Sequence, residues 1–307
     1  MTGNKLTVIT EDNRQEIIKA VLDSVTSKHT RRAYERALTE FLDWHTQQGK
    51  PGLTKAIVQA YKTYLQDQGK TASVINQTLS AIRKLVREAA DNGAIDPILA
   101  NGIANVKGIK SETLPAGRNI TQGELLAMIN ICIGDGKSGA RDAAIIAMLY
   151  ACGLRRAELV NLDLGDYDPA TGELKVLRAK GNKQRTLYLN NGARDALEDW
   201  INVRGNDEGS LFLQIRKGDH MKFNRLTTQA IYHVLQNRAK QAGVKDMSPH
   251  DFRRTFVGDL LDAGADIVTV QKMAGHADVS TTARYDRRGE EAKRKAAELL
   301  HVPYNKG

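Results

Sequence analysis

S-P-H-D-F-R-R-T-F at residues 248–256, followed by G-H-A-D-V-S-T-T-A-R-Y at residues 275–285, decides how the rest of this chain is interpreted. His250 and Arg253 stand three residues apart, so a helix places both on one face, where they can reach one target. Arginine presents a planar fork of donors that matches phosphate oxygens. A hydroxyl held beside that phosphate, here that of Tyr285, can attack it and form a covalent intermediate. The histidine–arginine pair alone is ambiguous, because a helix cap next to an ion pair gives the same spacing.

Composition narrows the class of protein. The 307 residues suffice for two domains, and 45 Lys and Arg against 36 Asp and Glu give a net charge of +9. A basic balance favours a polyanionic partner. Cys132 and Cys152 lack metal-type spacing and are expected to be small core residues in a reducing cytosol. No apolar run reaches the length of a membrane span and no secretory segment is present, so we expect a cytoplasmic protein.

The first third of the chain predicts a helical bundle. Amphipathic periodicity indicates helices over residues 12–25, 27–48, 57–65 and 73–92. Basic side chains on the outer faces are predicted to contact DNA, although a solvated helix surface explains any single one better. These residues are Arg31, Arg32, Arg83, Lys84 and Arg87. The polar, Gly- and Pro-containing stretch from Lys107 to Asn119 predicts a domain boundary, with domains at 1–108 and 119–307 and a linker at 109–118.

The remaining chain is predicted to be helical apart from one hairpin. A nearly all-apolar helix over 141–152 leads into G-L-R-R-A-E-L at 153–159. L-K-V-L-R and R-T-L-Y-L then alternate in strand fashion around the turn A-K-G-N-K-Q at 179–184. A helix over 290–300 ends the pattern. The fold class is therefore mainly α with a small β-hairpin.

Together these segments resemble the tyrosine site-specific recombinases, the phage integrase family, in their simple two-domain, Xer-like form. The resemblance implies a SAM-like core-binding bundle joined to a catalytic domain, the two forming a C-shaped clamp on DNA. It also implies a catalytic set, with Glu158 as a supporting acid. That set is Arg155, Lys180, His250, Arg253, His276 and Tyr285. Lys183 is the alternative to Lys180, and the Lys-Gly pair favours Lys180.

The implied reaction cleaves and rejoins DNA through a 3′-phosphotyrosyl intermediate, without metal, ATP or any other cofactor. Arg155 and Arg253 would stabilise charge on the phosphate, because a guanidinium stays cationic at working pH. A lysine on the hairpin is a plausible general acid for the leaving 5′-oxygen. Arg254 departs from the family pattern, in which many relatives carry histidine. Arg254 and Lys183 are expected to contact the DNA backbone.

Two rival interpretations stay open: a catalytically silent DNA-binding protein of the same fold, and a relaxing enzyme of the type IB topoisomerase kind. A metal nuclease is disfavoured because no Asp and Glu cluster offers a two-ion site. The resemblance implies duplex DNA and a homotetramer as partners, with the helix at 290–300 exchanged between protomers rather than packed on its own domain. It also implies a bacterial cytoplasmic protein that joins the nucleoid when bound. The target site and the biological role are open.

Overall fold

A computed structural model describes residues 11–49, 52–110, 117–177 and 184–303. Contacts divide the chain into two compact units, Met1–Thr113 and Leu114–Gly307. Helices predominate in both, and the β-structure is confined to small antiparallel sheets in the second unit. The predicted fold class is confirmed. Lys180 and Lys183 lie outside the described residues.

The first unit is a helical bundle around one apolar core. Its helices are α1 Glu11–Asp23, α2 Lys28–Gln47, α3 Lys55–Asp67, α4 Ala72–Asp91 and α5 Pro97–Ala104. Hydroxyl side chains cap three of them, since Ser27, Thr54 and Thr71 each accept a backbone N–H of the first turn. Helix α5 was not predicted from the sequence, although Asp96 caps it and Pro97 occupies its first turn.

The second unit carries nine of the described helices. They are α6 Gln122–Cys132, α7 Gly136–Cys152, α8 Arg156–Val160, α9 Asn191–Arg204, α10 Thr228–Gln241, α11 Pro249–Asp262, α12 Ile267–Ala274, α13 Val279–Ala283 and α14 Gly289–Glu298. Helix α7 runs through the core, with Ile145, Ile146 and Leu149 fully buried. Cys132 and Cys152 are buried as predicted.

Two antiparallel sheets complete this unit. Strands β1 Tyr167–Asp168, β2 Glu173–Val176 and β3 Arg185–Tyr188 form the first, and β4 Leu213–Arg216 with β5 His220–Arg225 forms the second. The two strands predicted on either side of residues 179–184 pair with each other, with Val176 opposite Arg185, while residues 179–183 of the predicted turn lie outside the described residues. The expectation of one hairpin was wrong, because residues 213–225 form another. A turn at Gly218 and Asp219, both at positive φ, reverses that chain.

The end of α7 fixes the direction in which the chain enters the polar region of the unit. Gly153 caps α7 in the left-handed conformation, with φ 55°. A Cβ at Gly153 would lie 2.3 Å from the ring of Phe256 on α11, so only glycine fits. Arg155 follows two residues later and is the N-cap residue of α8.

No helix within the described part of the chain is long and apolar enough to cross a membrane.

Candidate active site

Three arginines converge on the C-terminal end of α12. The last carbonyls of a helix have no intrahelical partner and carry the negative end of its dipole. Here three consecutive carbonyls each accept a hydrogen bond from a different guanidinium. The pairs are Arg185 Nε with Met273 at 2.8 Å, Arg253 with Ala274, and Arg155 Nη2 with Gly275 at 2.9 Å. The three sequence-distant arginine segments are thereby joined at one point.

One carboxylate links two of these arginines. Glu158, whose side chain is 2% exposed, accepts from Arg155 Nη1 at 2.6 Å and from both terminal nitrogens of Arg185 at 3.1 and 2.8 Å. It also accepts the Arg155 backbone N–H at 2.9 Å. Burial works to raise the pKa of Glu158, but the hydrogen bonds and charge of Arg185, followed by those of Arg155, outweigh it and lower the pKa to about 2. Glu158 is therefore ionised and holds both guanidiniums in place.

Arg253 is the most deeply buried member of the three. It is 5% exposed, and its Nη1 also donates to the carbonyl of Gly153 at 2.7 Å. Burial and the nearby charge of Arg155 lower the pKa of Arg253 to about 9. It remains cationic at neutral pH. Arg155 is the most solvent-accessible of the three arginines, with 31% of its side chain exposed.

Tyr285 lies within the same unit, beside His250. Its hydroxyl is 3.3 Å from His250 Nε2, and the whole residue is 7% exposed. Its ring stacks against His276, with 6.3 Å between centroids and 23° between planes. The Arg254 guanidinium carbon lies 6.0 Å from the ring centroid. The Tyr285 hydroxyl therefore lies at the candidate site of the same chain that carries it.

Both histidines of the site are neutral at neutral pH. Burial, and then the charge of Arg253, lower the pKa of His250. The same causes, with Arg155 and Arg185 added, lower the pKa of His276 to about 4. His276 Nδ1 lies 2.9 Å from the hydroxyl oxygen of Thr282. A neutral imidazole has one acceptor nitrogen and one donor nitrogen, so each ring can accept or share a proton here.

Segment 117–120 lies along α11. The backbone N–H of Arg118 donates to Asp251 at 2.9 Å, and that of Ile120 donates to Thr255 Oγ1 at 2.9 Å. Arg254 Nη1 donates to the carbonyl of Gly117 at 3.3 Å. The residue expected to contact DNA thus also connects this segment to the ring of Tyr285.

The basic residues predicted to contact DNA in the first unit divide into two groups. Arg31 donates to the Leu22 carbonyl at 2.8 Å, near the end of α1, and Arg83 donates to the Ala104 carbonyl at 3.0 Å, at the end of α5. Lys84 pairs with its helix neighbour Glu88 at 2.7 Å. Arg32 and Arg87 are exposed. Arg31 and Arg83 thus bind helix ends within the unit, and DNA contact by any of the five stays a prediction.

Sequence reasoning missed Arg185. Arg185 entered the sequence analysis only as the first letter of the predicted strand R-T-L-Y-L, yet only 8% of its side chain is exposed at the centre of the site. Strand alternation was the available signal, because Arg185 lies two residues from the buried Leu187 and therefore points to the same inward face of the sheet.

Across the described ranges, no group of three His, Cys, Asp or Glu side chains could hold a metal ion.

Comparison with known proteins identifies the family. Residues 118–291 match the phage integrase family, and residues 21–93 match the phage integrase N-terminal SAM-like domain. Tyrosine recombinase XerC of Pseudomonas putida is 33% identical over 269 residues, covering 84% of this chain and 85% of the relative. XerC of Staphylococcus carnosus is 30% identical over 270 residues, covering 84% and 86%.

Solved structures share the fold. The Tn1549 transposon integrase in complex with transposon right end DNA gives a TM-score of 0.69 at 16% identity, covering 92% of this chain and 99% of that one. XerH site-specific recombinase bound to its palindromic difH substrate gives 0.68 at 18% identity, covering 96% and 90%. The family match over residues 118–291 and the XerC relatives establish that the chain belongs to the phage integrase family of tyrosine recombinases.

Proposed function

We propose that Tyr285 is the nucleophile of a site-specific DNA recombinase and that Arg155 and Arg253 bind the phosphate it attacks. The phenol oxygen forms a bond to phosphorus, the bond from phosphorus to the 5′-oxygen breaks, and the 3′-phosphate stays on the tyrosine. A 5′-hydroxyl from another strand then attacks the phosphotyrosine and releases Tyr285. Each step exchanges one phosphodiester for another, so the reaction needs no ATP.

The observation that carries this proposal is the position of the Tyr285 hydroxyl, 3.3 Å from His250 Nε2 and beside a cluster of three arginines with one carboxylate. Neutral His250 can take the phenol proton as the bond forms. The pentacoordinate phosphate gains negative charge, and preorganised guanidiniums stabilise it without reorganisation. Arg155 offers the exposed edge of the cluster to the phosphate, and Arg253 supports it from inside.

The leaving 5′-oxygen requires a proton. The sequence predicts Lys180 as its donor, with Lys183 as the alternative, and both lie outside the described residues. His276 is proposed to contribute a hydrogen bond to the phosphate. Its ring lies against Tyr285, and its Nδ1 is occupied by Thr282, which leaves Nε2 for that contact.

The test is covalent trapping on a nicked suicide duplex, from which the short 5′-hydroxyl fragment diffuses away. Wild-type protein should form an adduct that survives denaturation, and peptide mass spectrometry should find the nucleotide on Tyr285. Tyr285→Phe should bind the same DNA and form no adduct. An adduct on another residue would refute Tyr285 as the nucleophile, and the absence of an adduct with any duplex would favour the silent DNA-binding protein. Relaxation of supercoils without strand exchange between two sites would favour the topoisomerase-like enzyme.

We also propose that the protein acts as a homotetramer on two duplexes, with its C-terminal region exchanged between protomers. The support is the apolar surface after α14, where Leu299, Leu300 and Val302 are 85%, 81% and 76% exposed. Within the helix predicted at 290–300, Ala296 is exposed as well, and the side chain of Ala292 lies outside the described residues. A protein shortened after Arg288 should cleave the suicide duplex but form fewer DNA-bound tetramers in light scattering. Unchanged tetramer formation would exclude the exchange.

Two further expectations stay predictions. One is that the two units enclose DNA as a clamp. The other is that the protein works in the bacterial cytoplasm, on the nucleoid.

A further inference from the structure

Arg185 connects three segments of the catalytic unit. It is the first residue of β3, the strand that pairs with β2. Its two terminal nitrogens hold both oxygens of Glu158, and its Nε donates to the carbonyl of Met273 at 2.8 Å. Only 8% of its side chain is exposed. All five donors of a guanidinium lie in one plane, so these contacts fix the orientation of the Arg185 guanidinium plane.

Arg204 shows what a structural arginine looks like in the same unit. It is 2% exposed and donates to the backbone carbonyls of Gly205, Asp207 and Ser210, at the turn after α9. Those bonds stabilise a turn and touch no residue of the candidate site. Arg185 differs, because its carboxylate partner is the one that also binds Arg155.

We propose that Arg185 is a positioning residue for strand cleavage, acting through Glu158 on Arg155 and through the Met273 carbonyl on the turn that carries His276. The inference rests on the proposed function, since it describes how the phosphate-binding groups are held. We assign Arg185 to this supporting position rather than to phosphate binding, because each of its three nitrogens donates to Glu158 or to the Met273 carbonyl.

Two consequences follow when Arg185 is absent. Glu158 keeps Arg155 as its guanidinium partner, and the ionised carboxylate draws Arg155 toward itself and away from the phosphate. The turn at Gly275 also loses a packing contact. The Arg185 guanidinium lies so close to this turn that a Cβ at Gly275 would be 3.0 Å from Arg185 Nη1. A misplacement of about 1 Å at the reacting groups can cost about 100-fold in rate. Lysine cannot replace Arg185, because one ammonium cannot hold two carboxylate oxygens and a carbonyl in a planar fork.

The experiment compares Arg185→Lys and Arg185→Met with Arg204→Lys and Arg204→Met. For each, single-turnover cleavage of the suicide duplex, DNA affinity and the thermal midpoint are measured in the full chain. We expect both Arg185 variants to cleave about 100-fold more slowly at unchanged DNA affinity. The Arg204 variants should lower the thermal midpoint at least as much and cleave at the wild-type rate below it.

A double-mutant cycle separates the action of Arg185 through Glu158 from its action through the Met273 carbonyl. Glu158→Gln removes the buried charge, so Arg185→Met in that background should recover thermal stability. If Arg185 positions the site, the double variant still cleaves more slowly than Glu158→Gln alone, because the Met273 carbonyl has lost its donor. If Arg185 is only structural, cleavage recovers together with stability.

The outcomes distinguish the inference from the proposed function. Absence of a Tyr285 adduct in the wild type overturns both. A wild-type adduct together with wild-type cleavage rates in Arg185→Lys overturns the inference alone. A cleavage loss that follows the thermal midpoint equally in Arg185 and Arg204 variants also overturns it.

Discussion

Two clusters of buried arginines in the catalytic unit differ in how their charge is balanced. Between α7 and α10, two arginines meet two carboxylates, in the pairs Arg141 with Asp142, Arg238 with Asp142 and Arg238 with Asp135. At the end of α12, three arginines lie around one carboxylate, Glu158, which pairs with Arg155 and Arg185, while Arg253 donates to backbone carbonyls. The first cluster is complete within the protein, whereas the second has more cations than anions.

The pKa values of the two clusters follow this difference. Burial acts to lower the pKa of Arg238, but Asp142 and Asp135 outweigh it and the pKa is raised. Burial also lowers the pKa of Arg253, and the neighbouring Arg155 lowers it further, to about 9. Buried charges of one sign are costly unless something pairs with them. The excess of cations in the second cluster supports the proposal that a DNA phosphate binds there.

The largest expected effect comes from removing a cation of the unbalanced cluster. Arg253→Met should lower single-turnover cleavage of the suicide duplex by about 10³- to 10⁵-fold, the range seen for arginines that stabilise a transferring phosphate. Because the substitution also removes uncompensated charge, the thermal midpoint should change little. Arg156→Met, at an exposed neighbour of Arg155, is the control and should cleave normally. Cleavage within tenfold of wild type would refute a catalytic role for Arg253.

The balanced cluster should respond in the opposite way. Arg238→Met leaves Asp135 and one oxygen of Asp142 without their partner, and we expect about 3 kcal/mol less stability in denaturant unfolding. Cleavage by the folded fraction should stay at the wild-type rate. Loss of cleavage without loss of stability would show that the balanced cluster also serves the reaction.

The comparison also shows what the sequence could predict. Arg155, His250, Arg253, His276 and Tyr285 stand in family order, and the structure brings them together although their roles stay a proposal. Their recognition needed only local motifs, since each motif sits at a helix end or turn. The balanced cluster could not be predicted, because Arg238 is separated from both Asp135 and Asp142 by about a hundred residues and no motif marks these residues.

Arg185 and the second hairpin were missed for related reasons. Arg185 follows Lys183 by two residues, and its charge gives no local sign of burial, so only the strand register places it inside. Residues 213–225 include several charged residues, and tertiary contacts stabilise their hairpin. Asp219 at its turn accepts the backbone N–H groups of Lys137 and Ser138 at the start of α7. A contact across that sequence distance leaves no local signal.

Inorganic sulfate should distinguish the clusters by binding alone. An anion that occupies the unbalanced site stabilises the folded protein, by about 2.7 kcal/mol at a concentration 100 times its dissociation constant. The rise in thermal midpoint with sulfate should persist in Arg238→Met and disappear in Arg253→Met. Sodium chloride at matched ionic strength is the control. An equal rise in both variants would mean that sulfate acts on the whole surface.

The smallest expected effect is the pH dependence of stability that the excess cations impose on His276. The pKa of this imidazole falls from 6.5 to about 4 on folding, because of burial and then Arg253 and Arg155. Between these values the unfolded chain binds the proton and the folded one does not, so stability is lost as pH falls from about 6.5 toward 4. Glu158 adds its own loss of stability only below its ordinary pKa of 4.5, since its pKa in the folded protein is lowered to about 2.

His276→Asn should therefore flatten the change in unfolding free energy between pH 6.5 and 5, while His233→Asn, at an exposed position on α10, should leave it as in the wild type. Sulfate should also flatten it in the wild type, because an anion at the arginines offsets the charge that keeps His276 neutral. If His276→Asn and wild type lose stability in parallel, the excess charge of this cluster does not reach the imidazole.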